Sequence, residues 1–145
     1  MYGDTAAGRK RVAQLREQGG DIRALASSLV AQSEAVPWHG KAAEAMRARI
    51  KERANHLRAA AAQHETAAES LAKHLTEVDT LKDAIETRSH KAISLIEDAR
   101  TRAGQQTGAE KATDTDDADP DSTLLAFDPP PAGHKDWLTA NLPGL

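Results

Sequence analysis

Six histidines are the first residues to examine for chemistry, because imidazole both ligates metals and titrates near neutral pH. His56, His64, His74 and His90 fall on one long helical pattern at separations of 8, 10 and 16 residues. None of these pairs lies four apart, and His64-Glu65-Thr66-Ala67-Ala68 lacks the second histidine of a zinc-protease helix. Neither a metal site nor a cofactor is expected. The carboxylate pairs Glu65/Glu69 and Asp79/Asp83 share helix faces and read as solvated charge rather than as an acid–base couple. Cysteine is absent, which removes thiol nucleophiles and disulfides together. Gly3 and Gly8 are too far apart, and Gly19–Gly20 too bare, to cradle a phosphate. No catalytic residue is identified, and the chain is expected to bind a partner rather than to catalyse.

The elements that carry these residues are helices. Of 145 residues 29 are alanine and four are aromatic, a composition that suits close-packed helices and not a sheet with a large core. In the first segment Val12, Leu15, Gly19, Ile22, Ala26, Leu29, Ser33 and Val36 step by three and four, a heptad-like seam. Gly19–Gly20 followed by Asp21 leaves open a kink or a continuous helix. Pro37-Trp38-His39-Gly40 stops the pattern. From Lys41 it restarts and runs without Gly or Pro to Ala103, along Met46, Ile50, Arg53, Leu57, Ala60, His64, Ala67, Leu71, His74, Val78, Leu81, Ile85, Arg88, Ala92, Leu95 and Ala99. Such a helix spans about 90 Å, roughly twice the first.

The expected architecture is all-α: an antiparallel helical hairpin over residues 1–103, with its turn at 37–40, and an acidic, Pro-containing, disordered tail over 104–145. Folding at Trp38–Gly40 lays Leu29 near Ile50, Ile22 near Leu57 and Leu15 near His64. Leu71, Val78, Leu81, Ile85 and Leu95 then have no intramolecular partner, and exposed apolar seams of this kind mark interaction surfaces. The competing arrangement breaks the long helix near residues 74–90 and folds it back as a third helix. In the tail Phe127, Trp137 and Leu138 could anchor a short docking motif.

Charge excludes another class of partner. Residues 1–60 carry 11 Lys/Arg against 6 Asp/Glu, whereas 104–145 carry 2 against 8. The basic stripe Arg47, Lys51, Arg58 suits an acidic partner or the acidic tail, and nucleic acid is not expected. No window is apolar enough for stable membrane insertion, and the N-terminus lacks a secretory h-region, so synthesis in the cytoplasm without a cleaved signal peptide is expected.

Trp38-His39-Gly40 between two Ala-rich amphipathic helices resembles the turn of the WXG100 (ESAT-6-like) family, helical hairpins exported by the type VII, or ESX, secretion system. Lys41-Ala42-Ala43-Glu44-Ala45-Met46 is similar to that family's pattern after the turn. The resemblance covers roughly residues 5–103. It implies homodimers or heterodimers, with another such hairpin or a toxin's N-terminal region, that form four-helix bundles, contact the secretion machinery and leave the cell folded. Within it Trp38 clamps the hairpin end and Gly40 reverses the backbone. The family's Tyr-x-x-x-Asp/Glu export signal is missing after the second helix, since the only tyrosine is Tyr2; a partner would carry it, or the tail holds a different one. The alternative is a cytoplasmic coiled-coil adaptor, or a chaperone-like partner of a toxin, that is not itself exported.

Overall fold

The computed structural model describes residues 5–106 and 119–145. All regular structure among them is helical: α1 (Thr5–Ala35), α2 (Lys41–Gln105), α3 (Pro120–Ala126) and a 3₁₀ turn, Lys135–Leu138. The chain divides into two compact units, residues 2–78 and 79–145. None of the described helices is long and apolar enough to cross a membrane.

In the first unit α1 packs against the beginning of α2, and the two run in opposite directions. Glu34 pairs with Lys51 at 3.2 Å, and Arg23 bridges Glu65 with two bonds of 2.8 Å. A Cβ on Gly19 would lie 3.3 Å from the Ala61 carbonyl oxygen, and one on Gly8 would fall 2.6 Å from Leu75 Cδ2. Partners therefore rise along α2 as they fall along α1. The pairing sits about one turn away from the expected one: Leu15 packs with Val12, Ala68, Leu71 and Leu75 rather than beside His64. Leu71 thereby has the intrachain partner it was expected to lack.

The seam is made of small residues. Val12, Gly19 and Ala26, seven apart on α1, are buried, as are Ala43, Ala54, Ala61, Ala68 and Leu75 on α2. Ile50, Leu57, His64, Leu71 and Val78 are half-buried beside them, as are Leu15 and Ile22. The α1 seam follows the expected steps from Val12 to Ala26 and at Ser33, but Leu29 is 36% exposed and Val36, past the end of α1, is 51% exposed. On α2 every second position moves by one: the chain turns Ala54, Ala61, Ala68 and Leu75 inward, and leaves Arg53, Ala67 and His74 exposed. The physical reason is close approach, since an Ala seam lets the helix axes near one another, which Arg and His would prevent.

Gly19–Gly20 produces no break, and α1 runs through both. A side chain on Gly19 would crowd the Ala61 carbonyl, whereas nothing lies within 4 Å of a Cβ on Gly20. Gly20→Ala should therefore stabilise the chain by about 0.5–1 kcal/mol through helix propensity alone. A urea titration showing no gain would mean that α1 bends at this position in solution.

The second unit differs from the expected tail. Residues 104–145 were expected to be without structure, yet α2 continues to Gln105, and residues 119–145 fold onto its second half. The segment 107–118 lies outside the described residues. Asp119 caps α3, accepting a bond from the Asp121 N–H, and Pro120 occupies the first turn where its missing N–H does no harm. After Pro129–Pro131, Gly133 takes φ +75° and the His134 side chain caps the 3₁₀ turn. Leu124, Trp137 and Leu142 then join Ile85, Ala92, Ile96 and Ala99 in one apolar cluster, edged by Leu95, Phe127 and Leu138. Ile85 and Leu95, expected to be free for a partner, are thus covered by the chain itself. Neither a break at 74–90 nor a long third helix is needed, because short elements rich in Trp and Leu do the covering.

Two of the exposed ion pairs shift the carboxylate they hold. Arg102 holds Asp121 at 2.7 and 2.8 Å, and this guanidinium keeps the Asp121 carboxyl below its ordinary value, as Arg23 does for Glu65. A lowered carboxylate contributes stability above its ordinary value that is lost as pH falls through the lowered one. In a Trp38→Phe chain, where Trp137 is the sole indole, acidification below pH about 4 should shift emission to the red. Asp121→Asn should abolish that limb of the titration; an identical acid profile would mean the pair contributes nothing.

Candidate partner-binding surface

The turn is built from three backbone devices. The Trp38 N–H bonds the Val36 carbonyl at 2.8 Å, closing a tight turn around Pro37, whose fixed φ suits it. Gly40 takes φ +108°, a region that a side chain disfavours, and its carbonyl accepts the first bond of α2 from Glu44 at 3.0 Å. The Arg47 guanidinium then binds the carbonyls of Ser33, Val36 and Trp38 at 3.1, 2.8 and 2.8 Å. It neutralises the unpaired carbonyl end of α1, where a cation is favoured. The sequence places Arg47 in a basic stripe suited to an acidic partner or the acidic tail, and the structure turns it onto backbone carbonyls instead. Its place one turn past Gly40, opposite a helix end with no cap of its own, was the available signal.

Trp38 does not clamp the seam. Its side chain is 48% exposed and lines an open hollow of about 320 Å³ with Val36, Met46, Ile50 and Ala43. Met46 and Val36 are 52% and 51% exposed. Leu25 and Leu29, four and seven residues apart from one another and from Val36, extend the apolar stripe along α1 and are also exposed. The basic residues Lys41, Arg49 and Arg53 of the same stretch of α2 are exposed as well. With half of its surface still wet, Trp38→Ala should lower stability by only about 1 kcal/mol, against 3–5 for a fully buried Trp. A loss above 3 kcal/mol in a denaturant titration would return the indole to the role of clamp.

The residues first considered for catalysis are dispersed. Among the described residues no cluster of His, Asp, Glu or Cys could hold a metal ion. Glu65 is engaged by Arg23, and His64 donates Nδ1–H to the Ala60 carbonyl at 2.9 Å. His74 is exposed, off the seam. Of the expected second-half surface Leu81 remains open, at 50% exposure, and Val78 is half-buried. Phe127, Trp137 and Leu138 come together, Phe127 and Trp137 with ring centroids 6.2 Å apart, but against α2 of the same chain.

No family model matches the chain, and no curated protein or solved structure matches it either.

Proposed function

We propose that this chain is a helix-pairing protein, which binds a second helical protein through the face around Trp38. The observation that carries the reading is the group Leu25, Val36, Trp38 and Met46, each about half exposed in a chain whose seam is mostly alanine. Large apolar side chains gathered on one surface favour association, and single ones scattered would not. The basic residues at its edge favour a partner with an acidic rim. A partner of the same form, two helices laid against α1 and α2, would complete a four-helix bundle.

The Trp38-His39-Gly40 turn, and its similarity to the WXG100 family, support a role as type VII secretion substrate or as the co-secreted partner of a larger effector. The alternative, a cytoplasmic adaptor or chaperone-like partner of a toxin, is favoured by one observation: residues 106–145 hold no Tyr-x-x-x-Asp/Glu. Light scattering over a concentration series tests the pairing itself. A dimer, or a 1:1 complex with a hairpin encoded by a neighbouring gene, is expected. Val36→Asp should weaken it by at least tenfold, since burying an unpaired charge is costly, with helix content unchanged. A chain that stays monomeric and binds no such neighbour would sink the proposal. Export is then decided by whether the complex leaves the cell.

A further inference from the structure

Phe127-Asp128-Pro129-Pro130-Pro131 joins α3 to the turn before the 3₁₀ segment, outside any helix or strand. Sterics fix its backbone. Each proline holds φ at about −65°, and a residue that precedes a proline is pushed to the extended side of the map, which covers Asp128, Pro129 and Pro130. Phe127 leads in at φ −71° and ψ 130°, the polyproline II region. Burial along the stretch has the period of three that this helix requires. Phe127 and Pro130, three apart, are half-buried, and Phe127 packs against the Trp137 cluster; Asp128, Pro129 and Pro131 are exposed. One ridge of the polyproline helix is therefore taken by the chain itself. The other two, Pro129 and the pair Asp128/Pro131, are free.

We propose that this stretch is the docking ligand of a protein domain whose aromatic-lined groove recognises polyproline II helices. A surface groove can receive two ridges of a threefold helix while the third stays outside it, and here the ridge left outside is the one already packed. The backbone fits the same occupant. The carbonyls of Asp128, Pro129 and Pro130 accept no hydrogen bond from a described residue, which leaves acceptors for the indole or phenol donors of such a groove. Both ends of the stretch are held. The Phe127 N–H bonds the Leu124 carbonyl at 3.4 Å, and the Pro131 carbonyl accepts from the His134 N–H at 3.0 Å and the Trp137 indole at 3.1 Å. The ligand is thus ordered before a partner arrives, which lowers the entropy that binding must overcome. An edge strand is the wrong partner, because three successive residues without an N–H cannot pair with it. The stretch belongs to the second unit, and the proposal does not rest on helix pairing through the Trp38 face.

The test adds the full chain, unlabelled, to three isotope-labelled probes followed by NMR: an SH3, a WW and an EVH1 domain. Saturating shifts in the groove aromatics of at least one probe are expected. Pro129→Ala and Pro131→Ala, one on each free ridge, should each weaken that binding roughly tenfold, since each removes two methylenes from the contact. Both are made in the Trp38→Phe chain, where Trp137 is the sole indole and its unshifted emission shows that the segment stays docked. Should either variant move that emission, displacement decides instead. A proline-rich peptide that fills the probe's groove should release the chain with all its prolines in place. No saturating shift in any of the three probes would overturn the proposal. So would binding that the peptide fails to displace, or an affinity unchanged in either docked proline variant.

Discussion

Trp137→Ala should release residues 119–145 from α2 and leave the α1–α2 pair in place. The side chain is 1% exposed, donates Nε1–H to the Pro131 carbonyl at 3.1 Å and lies against Phe127. Removing a buried Trp costs about 3–5 kcal/mol, part in lost transfer and part in the cavity left behind. The other large buried side chains that the segment supplies are Leu124 and Leu142. Two leucines contribute roughly 1.5–3 kcal/mol each, against the entropy of ordering the segment. Losing Trp137 therefore reverses the balance for this segment. Hydrogen exchange read by mass spectrometry separates the outcomes. Amides of 119–145 should exchange as in an unfolded chain, while those of α1 and of residues 41–78 keep their protection. Unchanged protection of α3 would show that Arg88 and Arg102 hold the segment without the indole.

How far the sequence spoke can be judged at particular residues. The two long helices were legible from periodicity, and so was the turn, because Pro37 and Gly40 act locally and need no tertiary context. The α1 seam was legible for the same reason. On α2 the choice between a step of three and a step of four was harder, since Ala60 and Ala61, or Ala67 and Ala68, offer identical side chains at both. The deciding residues were present at the ends of the run. Arg53 against Ala54, and His74 against Leu75, each put the polar residue outside if the step is four. The exposed Trp38 was not legible, because an indole can clamp or bind and only the surrounding surface distinguishes them. The fold of residues 119–145 was obscured by composition. Acidic and proline-rich stretches look unstructured when averaged, whereas the order here depends on a few separated residues: Leu124, Trp137, Leu142 and the distant Arg88, which donates to the Trp137 and Ala140 carbonyls.

The register of α2 has a direct consequence, seen by introducing leucine at three consecutive alanines. Ala61→Leu should be the most damaging. Ala61 is fully buried, and its carbonyl oxygen lies so near Gly19 that even a methyl there would be at 3.3 Å. Three added carbons have no void to enter, and overpacking of this kind costs about 1–3 kcal/mol, with the upper end expected where both neighbours are backbone. For a unit of this size that lowers the melting temperature by roughly 10 °C or more. Ala62→Leu, on the exposed face, should change stability by less than about 0.5 kcal/mol. Ala60→Leu, half-buried, should fall between them. If Ala60→Leu proves worse than Ala61→Leu, the step along α2 is three rather than four. Arg53 and His74 would then face α1, and the small-residue seam that allows this close approach would be lost as an explanation.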